Sequence, residues 1–596
     1  MERRVQPPNA SDPTSLNTGV ARPEISTLGQ AVTGRLWARL SMMSRTTRAL
    51  TKPTLILAAI IVLLVLAYWR GRPNSEPFLE DETRHVMTGV FFRDFLRELP
   101  LRHLVEYTTR YYLQYPALSL FLWPPFFYFL EGLVMSVFGT SMLVAKGLIL
   151  FFAVLACSYV FRLVNWTHDA ATAATATLIF GFTPLVFAFS EKVMLEIPAL
   201  ALALMALYHF LRYLDRDLRR DLVIATLASV LTCLTRYDGS FLAILMGIVV
   251  IARKRLDVLR RREVILCIAL AAIVVLPIYG LSARFIGGYR LAILQSFRSN
   301  PGKPSILGYL TFYPTHLPIQ LGWPAFVLAI IGLASSLRRK RWAGTGAYWA
   351  LATATYSSFT LFAIYGGEVQ SRHSIFWVPA FAFFAAEGIR ISSAWVKSKW
   401  FQATLASTVI VVMAAASLAK PQPFLRGYEE AARYVVANSK HSQFCFFDGD
   451  VNGDFTYEIR RNDPDRRLWV ARGDKLLYGT VMDARVAYTE FAATDADILA
   501  VLSSYNPEYI VVESPPQRYI TPMSDRLRRL LDNNPDRFKL ERVFPVNSPL
   551  PEFRRVQLKV YKKNVGSERP ANRIKLTMLG MGRSFETEVS AVSEGK

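Results

Sequence analysis

The residues best equipped for chemistry form one tight cluster, Leu79-Glu80-Asp81-Glu82-Thr83-Arg84-His85, just beyond the first long apolar run, Thr54 to Tyr68. Three carboxylates, a guanidinium and an imidazole at the mouth of a membrane segment are placed to meet a polar substrate at the bilayer surface. Ionisable groups at a membrane edge are functional candidates because their desolvation is costly. The plainer reading is that Asp81 caps the helix that follows. Further mixed-charge segments stand at the ends of later apolar runs. They are Ser190 to Pro198 with Glu191 and Glu196, Arg236-Tyr237-Asp238-Gly239, the stretch Ala283 to Leu317, and Tyr365 to His373 with Glu368, Arg372 and His373.

The elements that must position these groups are apolar. The chain has 596 residues, 52% of them hydrophobic, concentrated between Leu55 and Leu418 in runs near twenty residues, the length of transmembrane helices. The net charge of +23 would suggest nucleic acid in a soluble protein. Here the basic residues fall in the breaks between apolar runs, the positive-inside pattern, so the expected partners are membrane lipids and not nucleic acid. Residues 1–50 read as a disordered cytoplasmic tail whose arginines touch anionic lipid, and the first apolar run starts too late for a cleavable signal peptide. Four cysteines, Cys157, Cys233, Cys267 and Cys445, suggest neither a disulfide framework nor a metal spacing.

The strongest basic breaks are Arg212–Arg220, Arg253–Arg262, Arg338–Arg341 and Lys397–Lys399. Placing all four in the cytoplasm gives eleven spans, beginning with the run that ends at Tyr68 and continuing near 142–162, 170–189, 197–212, 221–236, 240–252, 264–282, 318–337, 345–365, 374–390 and 402–419. The N-terminus is then cytoplasmic, and Asp81 and the C-terminal domain are extracytoplasmic. Leu118 to Phe138 is apolar but broken by Pro124-Pro125, so it reads as a juxtamembrane or re-entrant piece within a first external loop of 71–138. In that loop Asp81 to Glu98 reads as an amphipathic helix in the interface plane, followed by an interfacial stretch with Tyr107, Tyr111, Tyr112 and Tyr115.

The expected fold is therefore an α-helical polytopic membrane protein, about eleven transmembrane helices plus juxtamembrane helices over 51–420, with a small soluble C-terminal α/β domain over 421–563. In that domain a helix is expected at Tyr428–Asn438 and another at Ile498–Tyr505, with strands at Phe444–Phe447, Tyr509–Val512 and Val556–Tyr561. Asp448, Asp450, Asn452 and Asp454 imitate the start of a calcium loop, but Ile459 stands where the closing glutamate belongs, so a solvated turn is expected. Residues 564–596 read as a disordered tail.

The ordered set of motifs resembles the GT-C superfamily of integral-membrane glycosyltransferases, in particular the aminoarabinose transferases that modify lipid A and the dolichyl-phosphate-mannose protein O-mannosyltransferases. Asp81-Glu82-Thr83-Arg84 resembles the family's Asp-Glu-x-Arg, and Trp123-Pro124-Pro125-Phe126 its Lys-Pro-Pro-Leu, followed by Phe138-Gly139. Met194-Leu195-Glu196-Ile197-Pro198 matches a second acidic residue before an apolar helix. Arg236 stands where a Lys-Gly ends a span, and Arg372-His373 with Val378-Pro379 resembles an Arg-Tyr and downstream proline. Two departures stand out: Trp123 replaces a lysine expected to touch phosphate, and His85 replaces a tyrosine.

The resemblance implies transfer of a sugar from a polyprenyl-phosphate donor, with inversion, to a glycolipid, polysaccharide or protein acceptor at a bacterial inner membrane. On it, Asp81 is the candidate base, and Glu196 is the second candidate catalytic carboxylate, orienting acceptor or sugar. Arg84, Arg236 and Arg372 are candidates for the phosphate, with Glu82 and His373 completing the substrate-binding set. No cofactor is implied beyond the donor. A divalent metal gathered by Asp81, Glu82 and Glu196 is compatible with the sequence, although no spacing demands it. A lipid-linked-sugar flippase and a non-catalytic scaffold are the rival readings. A flippase should show repeated halves with midplane sites, whereas here the acidic residues stand at span ends.

Overall fold

The computed structural model describes residues 52–69, 76–77, 80–299, 303–338, 342–366, 369–421, 424–481, 487–515, 521–564, 572–578 and 583–589. The expected tail over 1–50, the break at 339–341, Glu368 and the Glu80 side chain lie outside the described residues. The membrane part is built from α1 (Lys52–Trp69), α2 (Glu80–Glu98), α3 (Leu104–Gln114), α4 (Phe126–Phe138), α5 (Met142–Thr167), α6 (Ala170–Gly181), α7 (Pro184–Ser190), α8 (Glu196–Arg216), α9 (Arg219–Cys233), α10 (Phe241–Ala252), α11 (Arg262–Ser299), α12 (Ile306–Leu321), α13 (Trp323–Arg338), α14 (Trp342–Gly366), α15 (Val378–Val396) and α16 (Lys399–Ala419).

Among the described residues, six helices are long and apolar enough to cross a membrane, or eight if the bent pairs α6–α7 (66°) and α12–α13 (120°) each count as one span. That is fewer than the eleven expected. Three expected spans are not among them: α9 has 15 residues and α10 has 12, which at about 1.5 Å per residue fall short of a hydrocarbon core about 30 Å thick, and α14, 25 residues long, carries too many Gly, Ser, Thr and Tyr residues to be apolar enough. The stretch 283–317, expected as a loop, is mostly helix, because α11 continues to Ser299 and α12 begins at Ile306.

The helices sort charge to two ends. Glu196 opens α8 and Arg216 closes it, roughly 30 Å apart for a helix of that length. At the Arg216 end the breaks 212–220 and 253–262 lock together, Arg253 to Asp215 at 3.0 Å and Arg255 to Asp217 at 2.9 Å. Asp81, Arg236 and Arg372 gather at the Glu196 end. Glycines allow the closest helix approach in the bundle. A Cβ on Gly332 of α13 would meet the Phe384 carbonyl oxygen of α15 at 2.0 Å, and one on Gly388 would meet the Leu328 carbonyl oxygen at 2.0 Å.

The C-terminal domain contains α17 (Tyr428–Asn438), α18 (Asn452–Asn462), α19 (Gly473–Leu476), α20 (Asp495–Tyr505) and α21 (Pro522–Asn533). Its five-stranded sheet has the order β2-β1-β5-β7-β6. Strands β1 (Phe444–Asp448), β2 (Trp469–Arg472) and β5 (Tyr509–Ser514) are parallel, and β6 (Phe538–Pro545) and β7 (Gln557–Lys563) add an antiparallel edge. Two hairpins complete it, β3 (Tyr478–Val481) with β4 (Ala487–Glu490), and β8 (Arg573–Met578) with β9 (Arg583–Glu588). The second hairpin corrects the expectation of a disordered tail over 564–596, since Ile574 and Leu576 are buried. The calcium-like stretch is not a solvated turn either. Asp448 takes Arg528 at 2.9 Å, and Asp454 lies buried within α18.

This domain is docked on α2, whose residues 85–91 are buried by protein while Arg97 and Glu98 at its end are exposed. Asp94 of α2 receives Arg460 of α18 at 2.6 Å, Tyr457 donates to the Thr140 carbonyl at 2.6 Å, and Gln114 donates to the Leu468 carbonyl at 3.1 Å. Glu76 accepts three amides of the chain entering α17, from Gly427, Tyr428 and Glu429. Burial pushes the Glu458 carboxyl up to about 8 against the pull of Arg461, and pushes Glu76 to about 7 against its amide donors. Their ordinary value is about 4.3, so the folded protein holds protons that the unfolded chain releases, and stability falls as pH rises from about 4.3 to about 8.

Two outcomes are expected in detergent-solubilised protein. Gly332→Ala or Gly388→Ala lowers the melting temperature by an amount equivalent to about 1–3 kcal/mol of overpacking, while Gly346→Ala, whose Cβ would meet nothing within 4 Å, leaves it unchanged. The melting temperature of the native protein falls between about pH 5 and pH 8, and Glu458→Gln flattens that slope.

Candidate functional site

At roughly 100° per residue, the first turn of α2 sends four consecutive side chains in four directions. Asp81 Oδ2 accepts a hydrogen bond from Arg372 Nη2 at 3.1 Å. Glu82 is buried, and its Oε1 accepts the Val193 amide at 2.8 Å. Thr83 donates its hydroxyl to Asp454 of the C-terminal domain. Arg84 is half-buried, and its charge favours the ionised form of Asp81.

From Asp81 a chain of charge runs inward. Arg372 Nε lies 3.6 Å from Glu196 Oε1. The same oxygen accepts from Arg236 Nη1 at 2.7 Å, and Arg236 forks onto Asp238 through Nε at 2.9 Å and Nη2 at 2.5 Å. Glu196 is 1% exposed and Arg236 2%, so neither charge is screened by water. Local backbone sets the geometry. Arg236 has extended dihedrals just before the 3-10 turn Tyr237–Ser240, and Arg372 sits in the 3-10 turn Ser371–Trp377 that leads into α15. Glu196 is the first residue of α8, where the helix dipole favours a carboxylate. Its second oxygen, Oε2, is buried with no hydrogen-bond partner.

Asp81 is the more accessible end of the chain, its side chain 31% exposed. Burial alone would raise its pKa, but the charges of Arg84 and Arg372 outweigh burial and hold the carboxyl below its ordinary value. It is therefore ionised at neutral pH. His85, one turn further along, is pushed by burial to about 3, so its ring is neutral. Its Nδ1 lies 2.8 Å from the Tyr128 hydroxyl, and its role is to pack α2 against α4. Trp123, standing where a lysine was expected, lies under the Arg236 guanidinium at 5.5 Å from its ring centre, close enough for a cation–π contact. An aromatic face thus replaces a charge beside a cation that already has two carboxylates.

The structure brings Asp81, Arg372, Glu196 and Arg236 into one network. His373, next in the chain to Arg372, stacks its ring against Phe359, 6.2 Å between centres, and among the described residues no side-chain hydrogen bond or ion pair joins it to the network. Glu82 and Arg84 flank the network on the same helical turn. The three carboxylates do not gather around a cation: Arg372 stands between Asp81 and Glu196, and Glu82 turns to the Val193 amide. Among the described residues no group of three or more His, Cys, Asp or Glu side chains is placed to hold a metal. Sequence reasoning passed over Asp238 as a site residue, although its position two residues after Arg236 was the available signal. Asp454 stood out only within the calcium-like pattern.

Removing Arg236 leaves two buried carboxylates without their cation, which costs about 3–5 kcal/mol. Arg236→Ala is expected to lower the melting temperature sharply. The triple variant Arg236→Met, Glu196→Gln, Asp238→Asn is expected to recover much of that loss, measured by thermal unfolding in detergent.

Comparison with known proteins bears on this geometry. Residues 123–280, from Trp123 to the middle of α11, match the family model described as dolichyl-phosphate-mannose-protein mannosyltransferase. No curated protein matches the sequence. Among solved structures, the crystal structure of ArnT from Cupriavidus metallidurans bound to undecaprenyl phosphate aligns over 86% of this chain and 99% of its own, with a TM-score of 0.57 at 11% identity. The same protein in the apo state aligns over 84% and 97%, with a TM-score of 0.55 at 11% identity. At that identity the likeness is one of fold, and it takes in both the membrane part and the docked α/β domain. In fold, and in the sequence pattern of its membrane core, the chain resembles the GT-C integral-membrane glycosyltransferases.

Proposed function

We propose that the protein is a membrane glycosyltransferase that moves a sugar from a polyprenyl-phosphate carrier to an acceptor hydroxyl at the end of the bundle opposite its basic breaks, which positive-inside topology makes the extracytoplasmic face. The observation that carries the reading is the Asp81–Arg372 pair at 3.1 Å, a partly exposed carboxylate and a guanidinium backed by buried Glu196 and Arg236. Transfer to a hydroxyl needs a base for the acceptor proton and a cation for the departing phosphate, and the pair offers both at one place. The ArnT structure with the same fold was solved with undecaprenyl phosphate bound, a ligand of the class proposed here.

The chemistry follows from the geometry. Asp81 takes the proton of the acceptor hydroxyl as its oxygen attacks the anomeric carbon. The bond from that carbon to the phosphate oxygen breaks, and the polyprenyl phosphate leaves with the electron pair. A single displacement inverts the anomeric centre. A carboxylate held below its ordinary pKa is a poor base, yet the cause of the lowering is also the means of reversing it. The monoanionic phosphodiester of the donor, docking on Arg372, offsets that guanidinium's charge, the hold on Asp81 weakens, and its proton affinity rises when donor is bound. Arg372 offers a planar fork of donors to phosphate oxygens, and Glu196 keeps that fork aimed. In a water-poor site, stabilising the charge that develops on the leaving phosphate usually contributes more to the rate than any other effect. The acceptor is a glycolipid, a polysaccharide or a protein hydroxyl.

The test is transfer by purified protein from a radiolabelled polyprenyl-phosphate sugar to envelope extract. Asp81→Asn is expected to reduce transfer by about 10²–10⁴-fold at unchanged melting temperature, and Arg372→Gln to raise the donor KM as well as lower kcat. Transfer by Asp81→Asn at the native rate removes Asp81 from the reaction. Movement of the sugar lipid across vesicles without chemistry reassigns the protein as a flippase.

A further inference from the structure

The use of Arg372 depends on where its guanidinium stands. It gives Nη2 to Asp81 at 3.1 Å and Nε to the side-chain oxygen of Gln370, with Glu196 Oε1 3.6 Å from Nε. Those contacts aim the side chain, and they hold only while the backbone of the turn Ser371–Trp377 stays in place. A 3-10 turn has poor hydrogen-bond geometry of its own, so it takes its support from neighbouring elements.

Much of that support comes from one side chain. Gln320 is the last residue but one of α12 and is 4% exposed. Its Nε2 donates to the Ser371 carbonyl at 2.8 Å, and its Oε1 accepts the Trp377 indole N–H at 3.2 Å. The Ser374 hydroxyl lies 3.0 Å from the same Oε1 and 2.8 Å from the Ser371 carbonyl, so its one proton serves both acceptors. An indole nitrogen only donates and a carbonyl only accepts, which leaves a single orientation for the amide. Gln320 thus clamps the turn at its first, fourth and last residues, on both sides of Arg372. The aromatic side chains of the turn pack as well. Phe376 meets Phe241 at 4.7 Å and Phe359 at 5.6 Å between ring centres, and Trp377 meets Tyr313 of α12 at 6.2 Å. Apolar packing is non-directional, whereas the contacts of the amide fix distance and angle.

Gln320 itself stands at a corner of the fold. The chain bends by 120° between α12 and α13, at Gly322, whose φ of +89° suits glycine. Helix α13 is locked to α15 through Gly332 and Gly388, and α15 starts at Val378, directly after the turn. The turn is therefore pinned at one end by Gln320 and at the other by α15, and a change at residue 320 shifts Arg372 without opening the bundle. A displacement of about 1 Å in a group that positions substrate can cost about 100-fold in rate.

We propose that Gln320 is a positioning residue for Arg372: it holds the turn Ser371–Trp377 so that the guanidinium stands between Asp81 and Glu196, where the phosphate of the donor docks. The inference rests on the glycosyltransferase reading and adds to it a residue that acts only through another.

The experiment is undecaprenyl phosphate binding and sugar transfer by the full-length protein in nanodiscs, for the native protein, Gln320→Met, Arg372→Gln and the two substitutions together, with melting temperatures recorded. Methionine keeps the volume and removes the polar contacts. Gln320→Met is expected to weaken undecaprenyl phosphate binding and raise the donor KM about tenfold or more. It is expected to add little to the defect of Arg372→Gln, because both act through the same guanidinium. Ser336→Ala removes a buried hydroxyl joined to Thr345 at 2.9 Å and Trp349 at 3.0 Å, and is expected to lower the melting temperature while binding and KM stay native. If Gln320→Met does not fold, Ser374→Ala replaces it as the smaller change at the same clamp, with a raised donor KM expected and a native KM overturning the inference. Native binding and KM in Gln320→Met, or a defect that adds in full to that of Arg372→Gln, overturns the inference and leaves the glycosyltransferase reading standing. A native protein that neither binds undecaprenyl phosphate nor transfers sugar overturns both.

Discussion

Two arginines and three carboxylates meet at one end of the bundle, and the burial of the inner members makes their mutual neutralisation compulsory. Glu196 and Arg236 lie almost wholly out of water, where an unpaired charge is costly to hold. Asp238 completes Arg236, and Arg372 stands between Glu196 and Asp81. Asp81 is the most exposed of the five. Glu196 lies 3.6 Å from Arg372 Nε, and in the proposed reaction Arg372 decides whether Asp81 behaves as an inert anion or as a base. Phosphate at Arg372 would couple donor binding to base strength, so that Asp81 is most basic when the donor is in place.

The fold is arranged to deliver those five groups. Two 3-10 turns and a helix start bring Arg236, Arg372 and Glu196 to the same level, while the close α13–α15 contact through Gly332 and Gly388 anchors the helix that follows Arg372. The C-terminal domain is a structural part of the site. It holds α2 through Asp94–Arg460 and Thr83–Asp454, on either side of the enclosed turns of the helix that carries Asp81. A soluble domain tied to a reactive helix in this way can contribute to substrate recognition as well as to support.

Much of the site was legible because membrane energetics makes charged residues at span ends conspicuous. Asp81, Glu196, Arg236 and Arg372 stood out on that ground, although 291 residues separate Asp81 from Arg372 and no local pattern could show that they touch. In the soluble domain α17 matched its expected bounds and β1 nearly did, because amphipathic period and apolar runs are local signals. Helix α18 was missed for the opposite reason. Its buried face carries Asp454, Glu458 and Arg460, polar residues that break the apolar period; Thr83 donates to Asp454 and Arg460 to Asp94 on another element, while Glu458 pairs with Arg461 of the same helix. Fewer helices than the eleven expected spans are long and apolar enough to cross among the described residues, because short ones such as α10 are apolar without the length. The hairpin at 573–588 was hidden in a polar stretch whose two buried residues, Ile574 and Leu576, are too few to set a period.

The most direct measurement is a cryo-electron microscopy structure of the protein in nanodiscs with undecaprenyl phosphate bound. The expected result is phosphate density within hydrogen-bond reach of Arg372, with the Asp81–Arg372 contact lengthened and the Arg236–Glu196–Asp238 set unmoved. Lipid phosphate bound at a site remote from Arg372, with the 3.1 Å contact intact, contradicts the coupling of donor binding to the strength of the base.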